Sequence, residues 1–273
     1  MKVFISCDFE GISGISSFDE LRPGHYNFSC ARKLLTSELN AVIKGIKDFT
    51  KDIIICDSHA LGENVLINEL PEYVKVVKGY PRPFYMLHGL DESFTVVFFI
   101  GYHAGVGDMF GMMDHSYSGS AIYEVKLNDE YMSEIEINAG LAGHYNVPVG
   151  LVSGDSATIK RVKSILRNVE TVITKEGISR YAGLMRHPED VHKELYEKSK
   201  KVMKHLDRLE PFKLDYPLHA EIKFVDTHAC DLVAILPYVN RKDGRTIEFE
   251  SPSMPHFYRM LITMTHLARS VKR

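Results

Sequence analysis

Three short apolar runs each break off into a polar cluster, and this repetition limits the possible folds more than any other feature of the chain. Val3 to Cys7 leads into Asp8-Phe9-Glu10-Gly11. Asp52 to Cys56 leads into Asp57-Ser58-His59. Phe94 to Ile100 leads into Gly101-Tyr102-His103-Ala104. Unbroken apolar runs rich in Val, Ile and Phe mark strands buried on both faces, the condition of a parallel sheet. Between the first two runs, Ala31, Leu34, Leu35, Leu39, Val42, Ile43 and Ile46 recur at helical spacing, which predicts a helix over about 26–49. Strands alternating with helices predict an α/β fold: a mainly parallel sheet covered by helices.

The remaining chain continues the alternation. Tyr73 to Val77, Ile122 to Leu127, Pro148 to Val152 and Val169 to Thr174 read as strands. Ser133 to Tyr145 reads as a helix capped by Ser133, another helix runs to about Arg167, and a charged one covers about 188–209. Composition shifts near Pro211. The expected organisation is a catalytic α/β domain over 1–210 and a smaller C-terminal α/β subdomain over 211–273, with strands at Ala220 to Val225 and Thr246 to Phe249 and a last helix over Pro255 to Ser270.

Composition excludes some classes. The formal charge of −3 comes with no long run of one sign, which argues against a nucleic-acid binder and an anionic-membrane binder. No stretch approaches the roughly 18 apolar residues of a membrane span, and Asp8 and Glu10 interrupt the opening apolar run too early for a signal peptide. Cys7, Cys30, Cys56 and Cys230 are scattered, with no C-x-x-C pair, as expected of free thiols in the cytoplasm. Strand alternation turns Cys7 and Cys56 away from the neighbouring acids, so both read as core thiols.

The polar clusters carry the chemistry. In extended chain Asp8 and Glu10 point the same way while Phe9 faces the core. Two carboxylates aimed at one point repel unless a cation joins them. Alone, D-x-E is more often a pair of solvated acids. His59 and His103 at two further strand ends change that, because imidazole with carboxylate suits zinc and related ions. Glu134 and Asn138 share one face of a helix one turn apart. His115 lies between glycine-rich segments, where an imidazole suits proton transfer near neutral pH. Asp155 reads as a helix cap or a supporting acid. Lys175 and Arg180 are candidates for a substrate carboxylate or for helix capping.

Taken together, Asp8-Phe9-Glu10-Gly11-Ile12-Ser13-Gly14, Asp57-Ser58-His59, Gly101-Tyr102-His103-Ala104, His115-Ser116 and Glu134 through Ala139 resemble the bacterial zinc-dependent D-aminopeptidases of dipeptide-transport operons. The resemblance runs nearly end to end. It implies a two-zinc centre in which Asp8 bridges the ions, Glu10 and His59 complete one site, and His103 and Glu134 complete the other. It gives His115 the role of a catalytic histidine that is not a ligand. Beside these, Asn138, Lys175 and Arg180 stand as weaker substrate-binding candidates on their own chemistry. The resemblance further implies hydrolysis of short peptides with an N-terminal D-residue by metal-bound hydroxide, and a homo-oligomer, with a ring as the family's pattern. Three carboxylates and two divalent ions leave one positive charge, which a hydroxide neutralises. The loop from Gly105 to Asp114 differs from the family pattern, so substrate preference is the property it would alter. Three other readings stay open: a dinuclear phosphoesterase (although no Gly-Asn-His motif is present), another amidohydrolase, and a non-catalytic peptide-binding protein.

Overall fold

The computed structural model describes residues 1–271. The chain runs β1 (Val3–Cys7), α1 (Phe28–Ile46), β2 (Ile53–Asp57), β3 (Val74–Val77), β4 (Val96–Tyr102), β5 (Ile122–Leu127) and β6 (Glu130–Tyr131). It continues with α2 (Glu134–His144), β7 (Val149–Asp155), α3 (Ser156–Ile165), β8 (Glu170–Ser179), β9 (Ala182–Met185) and α4 (Pro188–Lys204). Last come β10 (Leu218–Phe224), α5 (Thr227–Val233), β11 (Asn240–Arg241), β12 (Thr246–Ser251) and α6 (Met254–Ser270).

The larger sheet has the order β3-β2-β1-β4-β7-β8-β9 and is parallel except for the β8–β9 hairpin. Its inner strands are buried on both faces, which is why they read as unbroken apolar runs. Alternate residues feed two cores. Val3, Ile5 and Cys7 pack with α1 and α4 on one face. Phe4, Cys56, Val97 and Phe99 pack on the other with α2 and α3. Cys7 and Cys56 are thus buried core thiols, and all four cysteines are free.

The mainly parallel sheet and its covering helices agree with the expected fold class. The stretch from 211 onward does not hold a sheet of its own. The second sheet, β11-β12-β10-β5-β6, takes β5 and β6 from the first 210 residues, with β10 pairing antiparallel to β5 from Ala220↔Leu127 to Phe224↔Ile122. Helix α2 lies between the layers with every residue from Glu134 to Gly143 buried. A Cβ on Gly143 would come 1.7 Å from Phe212 O, so the chain after 211 presses directly on this helix. The β8–β9 hairpin and the short strands β6 and β11 were not expected. β8 runs on to Ser179, where Ile178 is solvent-exposed, so burial leaves no periodic trace there.

Candidate metal centre

The strand order of the larger sheet reverses at β1, which has β2 on one side and β4 on the other. Open parallel sheets bind ligands at the carboxyl ends of strands beside such a reversal, because the loops there part and leave a crevice. The three polar clusters leave from these ends. Asp8 N donates to Ile100 O (2.8 Å), Ser58 N to Cys7 O (2.9 Å) and Gly11 N to Gly101 O (2.8 Å), which binds the three loops together. Two glycines make the approach possible. A Cβ on Gly11 would come 1.9 Å from Tyr102 O, and Gly101, at φ +74°, would bring one 2.5 Å from Asp8 O.

Five residues read as ligands from the sequence converge here. Asp8 presents one oxygen to each of two histidines: Oδ1 lies 3.5 Å from His59 Nδ1 and Oδ2 lies 3.4 Å from His103 Nε2. The outer carboxylates complete the pattern. Glu10 Oε2 is 3.0 Å from His59 Nδ1, and Glu134 Oε1 is 3.2 Å from His103 Nε2. Metal–ligand bonds of roughly 2.0–2.2 Å put neighbouring donors about 3.4 Å apart around a tetrahedral ion, and the four distances here run from 3.0 to 3.5 Å. Asp8, Glu10, His103 and Glu134 are nearly sealed from solvent.

Local structure fixes each donor. Ser133 caps α2 in a capping box with Glu136, which sets Glu134 in the first turn facing the strand ends. Glu134 Oε1 also accepts from Tyr117 N (2.7 Å). His103 Nδ1 lies 2.9 Å from Ala104 O, and a carbonyl can only accept, so Nδ1 carries the hydrogen. That leaves Nε2 aimed at Asp8 and Glu134, buried and with no hydrogen-bond partner. An orphaned imidazole nitrogen facing two buried carboxylates fits a cation between them. Without one, the acids draw protons onto the rings. Burial works against charge on His59 and His103, but Glu10 raises His59 to about 10 and Glu134 raises His103 well above the usual range. Burial, reinforced by Glu10, raises Asp8 to about 7.

His115 occupies a different position. Its ring stacks on His103 with centroids 4.0 Å apart, and Nδ1 is 2.9 Å from Met113 O, so Nδ1 again bears the hydrogen. Nε2 stands 3.8 Å from Glu10 and 3.9 Å from Glu134, farther than the pairs above. His115, His103 and Glu134 nevertheless form a group that could hold an ion, so ligation by His115 is geometrically open. Burial, followed by the charge of His103, lowers the His115 pKa. The ring lines a cleft of about 680 Å³ that reaches Asp8, Glu10, His59 and Glu134 but not His103.

The weaker candidates divide. Arg180 lines this cleft and pairs with Asp114 (3.2 Å). Asn138 does not reach it. Its Nδ2 lies 3.2 Å from Tyr102 Oη and its Oδ1 accepts from Tyr258 Oη (2.8 Å), in a network behind the site. Lys175 also lies outside the cleft, with its ammonium on three backbone carbonyls. Asp155 caps α3 through Thr158 N (2.8 Å) and holds the loop before His115 through Met112 N (2.6 Å). The sequence reading missed the wall formed by α6, where Ile262, Thr265, His266 and Arg269 face the cleft. Their i, i+3, i+4, i+7 spacing was readable, but it looks the same as a face packed on a core.

Known proteins resemble this chain over nearly its whole length. A family model described as D-aminopeptidase matches residues 1–263. The D-aminopeptidase of Bacillus subtilis (strain 168) is 30% identical over 274 residues, which span 98% of each chain. The solved structure of the Zn-dependent D-aminopeptidase DppA from Bacillus subtilis, described as a self-compartmentalizing protease, matches with a TM-score of 0.96 and 29% identity over 100% of both chains. With a match of this length in sequence and in fold, the chain belongs to the D-aminopeptidase family and is a hydrolase of peptide bonds.

Proposed function

We propose that this hydrolase is a dinuclear zinc aminopeptidase in which Asp8 would be shared between two ions, Glu10 and His59 would help hold one, and His103 and Glu134 would help hold the other. The observation that carries the reading is the split of Asp8, whose two oxygens face two histidines that each share a second carboxylate. The zinc dependence of DppA supports the choice of metal. Zinc bound there supplies activation of water near neutral pH and polarisation of the scissile carbonyl.

The chain's own groups account for the rest. His115 is the proton carrier: it lines the cleft, and its Nδ1 is tied to Met113 O, leaving Nε2 directed into the site. Its lowered pKa favours the neutral form, which accepts a proton. Glu10 and Glu134 offer negative charge to a substrate α-amine beside the scissile bond. Arg180 at the cleft wall is the candidate for a substrate carboxylate. The substrate is a short peptide with an N-terminal D-residue. The chain assembles as a homo-oligomer, with a ring as the proposed form, a reading supported by the self-compartmentalizing description of DppA. No helix among the described residues is long and apolar enough to cross a membrane, and four free cysteines support a cytoplasmic location.

The test has two parts. Elemental analysis should find two zinc ions per chain, and anomalous scattering should give two peaks roughly 3.5–4 Å apart. D-Ala p-nitroanilide should be cleaved faster than its L-form, and both faster than their N-acetylated forms. Preference for the acetylated substrates would remove the aminopeptidase reading and leave a general amidohydrolase. Preference for the L-form would remove only the D-specificity.

A further inference from the structure

We propose that Lys175 is a positioning residue of the metal centre: its ammonium gathers the backbone of the Glu10–Ile15 loop and so fixes the direction in which Asp8 and Glu10 point. The side chain is wholly buried. Its Nζ donates to Glu10 O (2.5 Å), Ile12 O (3.1 Å) and Ile15 O (2.6 Å). An ammonium has three hydrogens and all three are used, so none remains for a substrate carboxylate. Among the described residues, Lys175 makes no salt bridge.

The loop needs such a clamp. Residues 8–16 belong to no helix or strand, so the repeating hydrogen bonds that hold regular elements are absent where two carboxylates must converge. Three carbonyls turned to one buried point would repel one another without a cation between them. Neighbouring groups complete the cradle. Thr174 Oγ1 donates to Gly11 O (2.6 Å), and Glu38 Oε1 accepts from Ser13 N (2.8 Å) and Ser13 Oγ (2.7 Å). On the opposite side, Gly11 rests on the backbone of Gly101 and Tyr102. β8 and α1 thus hold the loop from behind while β4 holds it from below. Groups that orient metal ligands typically affect metal affinity by roughly 10–100-fold, and Lys175 acts here through the backbone of a ligand instead of through its side chain.

The inference rests on reading Asp8 and Glu10 as ligands, and the experiment separates the two claims. Zinc affinity is measured by chelator competition on the full-length protein, and the absorption spectrum is recorded after cobalt substitution. Wild-type protein that takes up no metal overturns the metal centre itself, and the Lys175 proposal with it. Given a metal-binding wild type, Lys175→Met should keep its far-UV circular dichroism, bind zinc roughly 10–100-fold more weakly and change the cobalt spectrum. Thr174→Val should weaken binding in the same direction, and Thr174→Ser, which keeps the hydroxyl, should restore it. Unchanged zinc affinity and an unchanged cobalt spectrum in Lys175→Met overturn the proposal. So does a higher KM with metal binding intact, the result expected of direct contact with substrate. Should Lys175→Met not fold, the Thr174 pair decides: equal zinc affinity in the valine and serine variants overturns it.

Discussion

His115 and Glu38 show how burial sets the behaviour of single residues. His115 faces the cleft and stands apart from the tighter pairs around Asp8. His115→Ala should therefore retain zinc while turnover falls by roughly 10²–10⁴-fold, the usual contribution of a general acid or base. Parallel loss of metal and activity, read by elemental analysis beside kcat, would make it a ligand instead. Glu38 is sealed behind the loop, and burial holds its carboxyl up at about 7 despite Ser13. An unfolded glutamate titrates near about 4.3. The folded state thus favours the neutral form, and the resulting stabilisation is full below the unfolded value and lost as the pH rises through about 7. Glu38→Gln keeps an acceptor for Ser13 and has no such loss. Its melting temperature relative to wild type should climb between about pH 4.5 and 7.5, and a constant difference across that window would contradict the burial argument. At this scale the sequence was an incomplete guide. Asn138 was read as a candidate for substrate because it shares a helix face with Glu134, and Lys175 because a cation can meet a substrate carboxylate. Their partners are Tyr258 far along the chain and three carbonyls, and neither leaves a mark on local pattern.

Among the elements, what could be read followed from where water is. β1, β2, β4 and β7 are buried almost throughout and appear in the sequence as apolar runs. The polar clusters after three of them marked the crevice, because a parallel sheet places consecutive strand ends on one edge. β9 is partly exposed along its length, and β6 and β11 have two residues each, so composition gave no cue to them. The composition shift near Pro211 carries no sign of the shared sheet for a related reason: strand pairing across 93 or more positions depends on partners that composition does not reveal. The close approach of the β1 and β4 ends offers a direct test. Gly101 combines φ +74° with a Cβ position 2.5 Å from Asp8 O. Gly101→Ala should cost about 1–3 kcal/mol or more in stability and release metal, measured by denaturant unfolding and elemental analysis. Full stability with full metal content would show that the two strand ends have room to separate.

The molecule as a whole is organised around a helix that neither sheet owns. α2 brings Glu134 to the strand ends of the larger sheet, while its other faces meet Phe212, Met254 and Tyr258 from the end of the chain. If the proposed homo-oligomer forms, light scattering at micromolar concentration should return a mass several times that of one 31.0 kDa chain; a monomer would refute it. The placement of α2 also ties the cleft to long-range order. Tyr258 of α6 meets Asn138 of α2 across 120 positions. Local unfolding that loosens α6 from α2 would therefore open the cleft wall and strip the backing from the helix that carries Glu134 in one event.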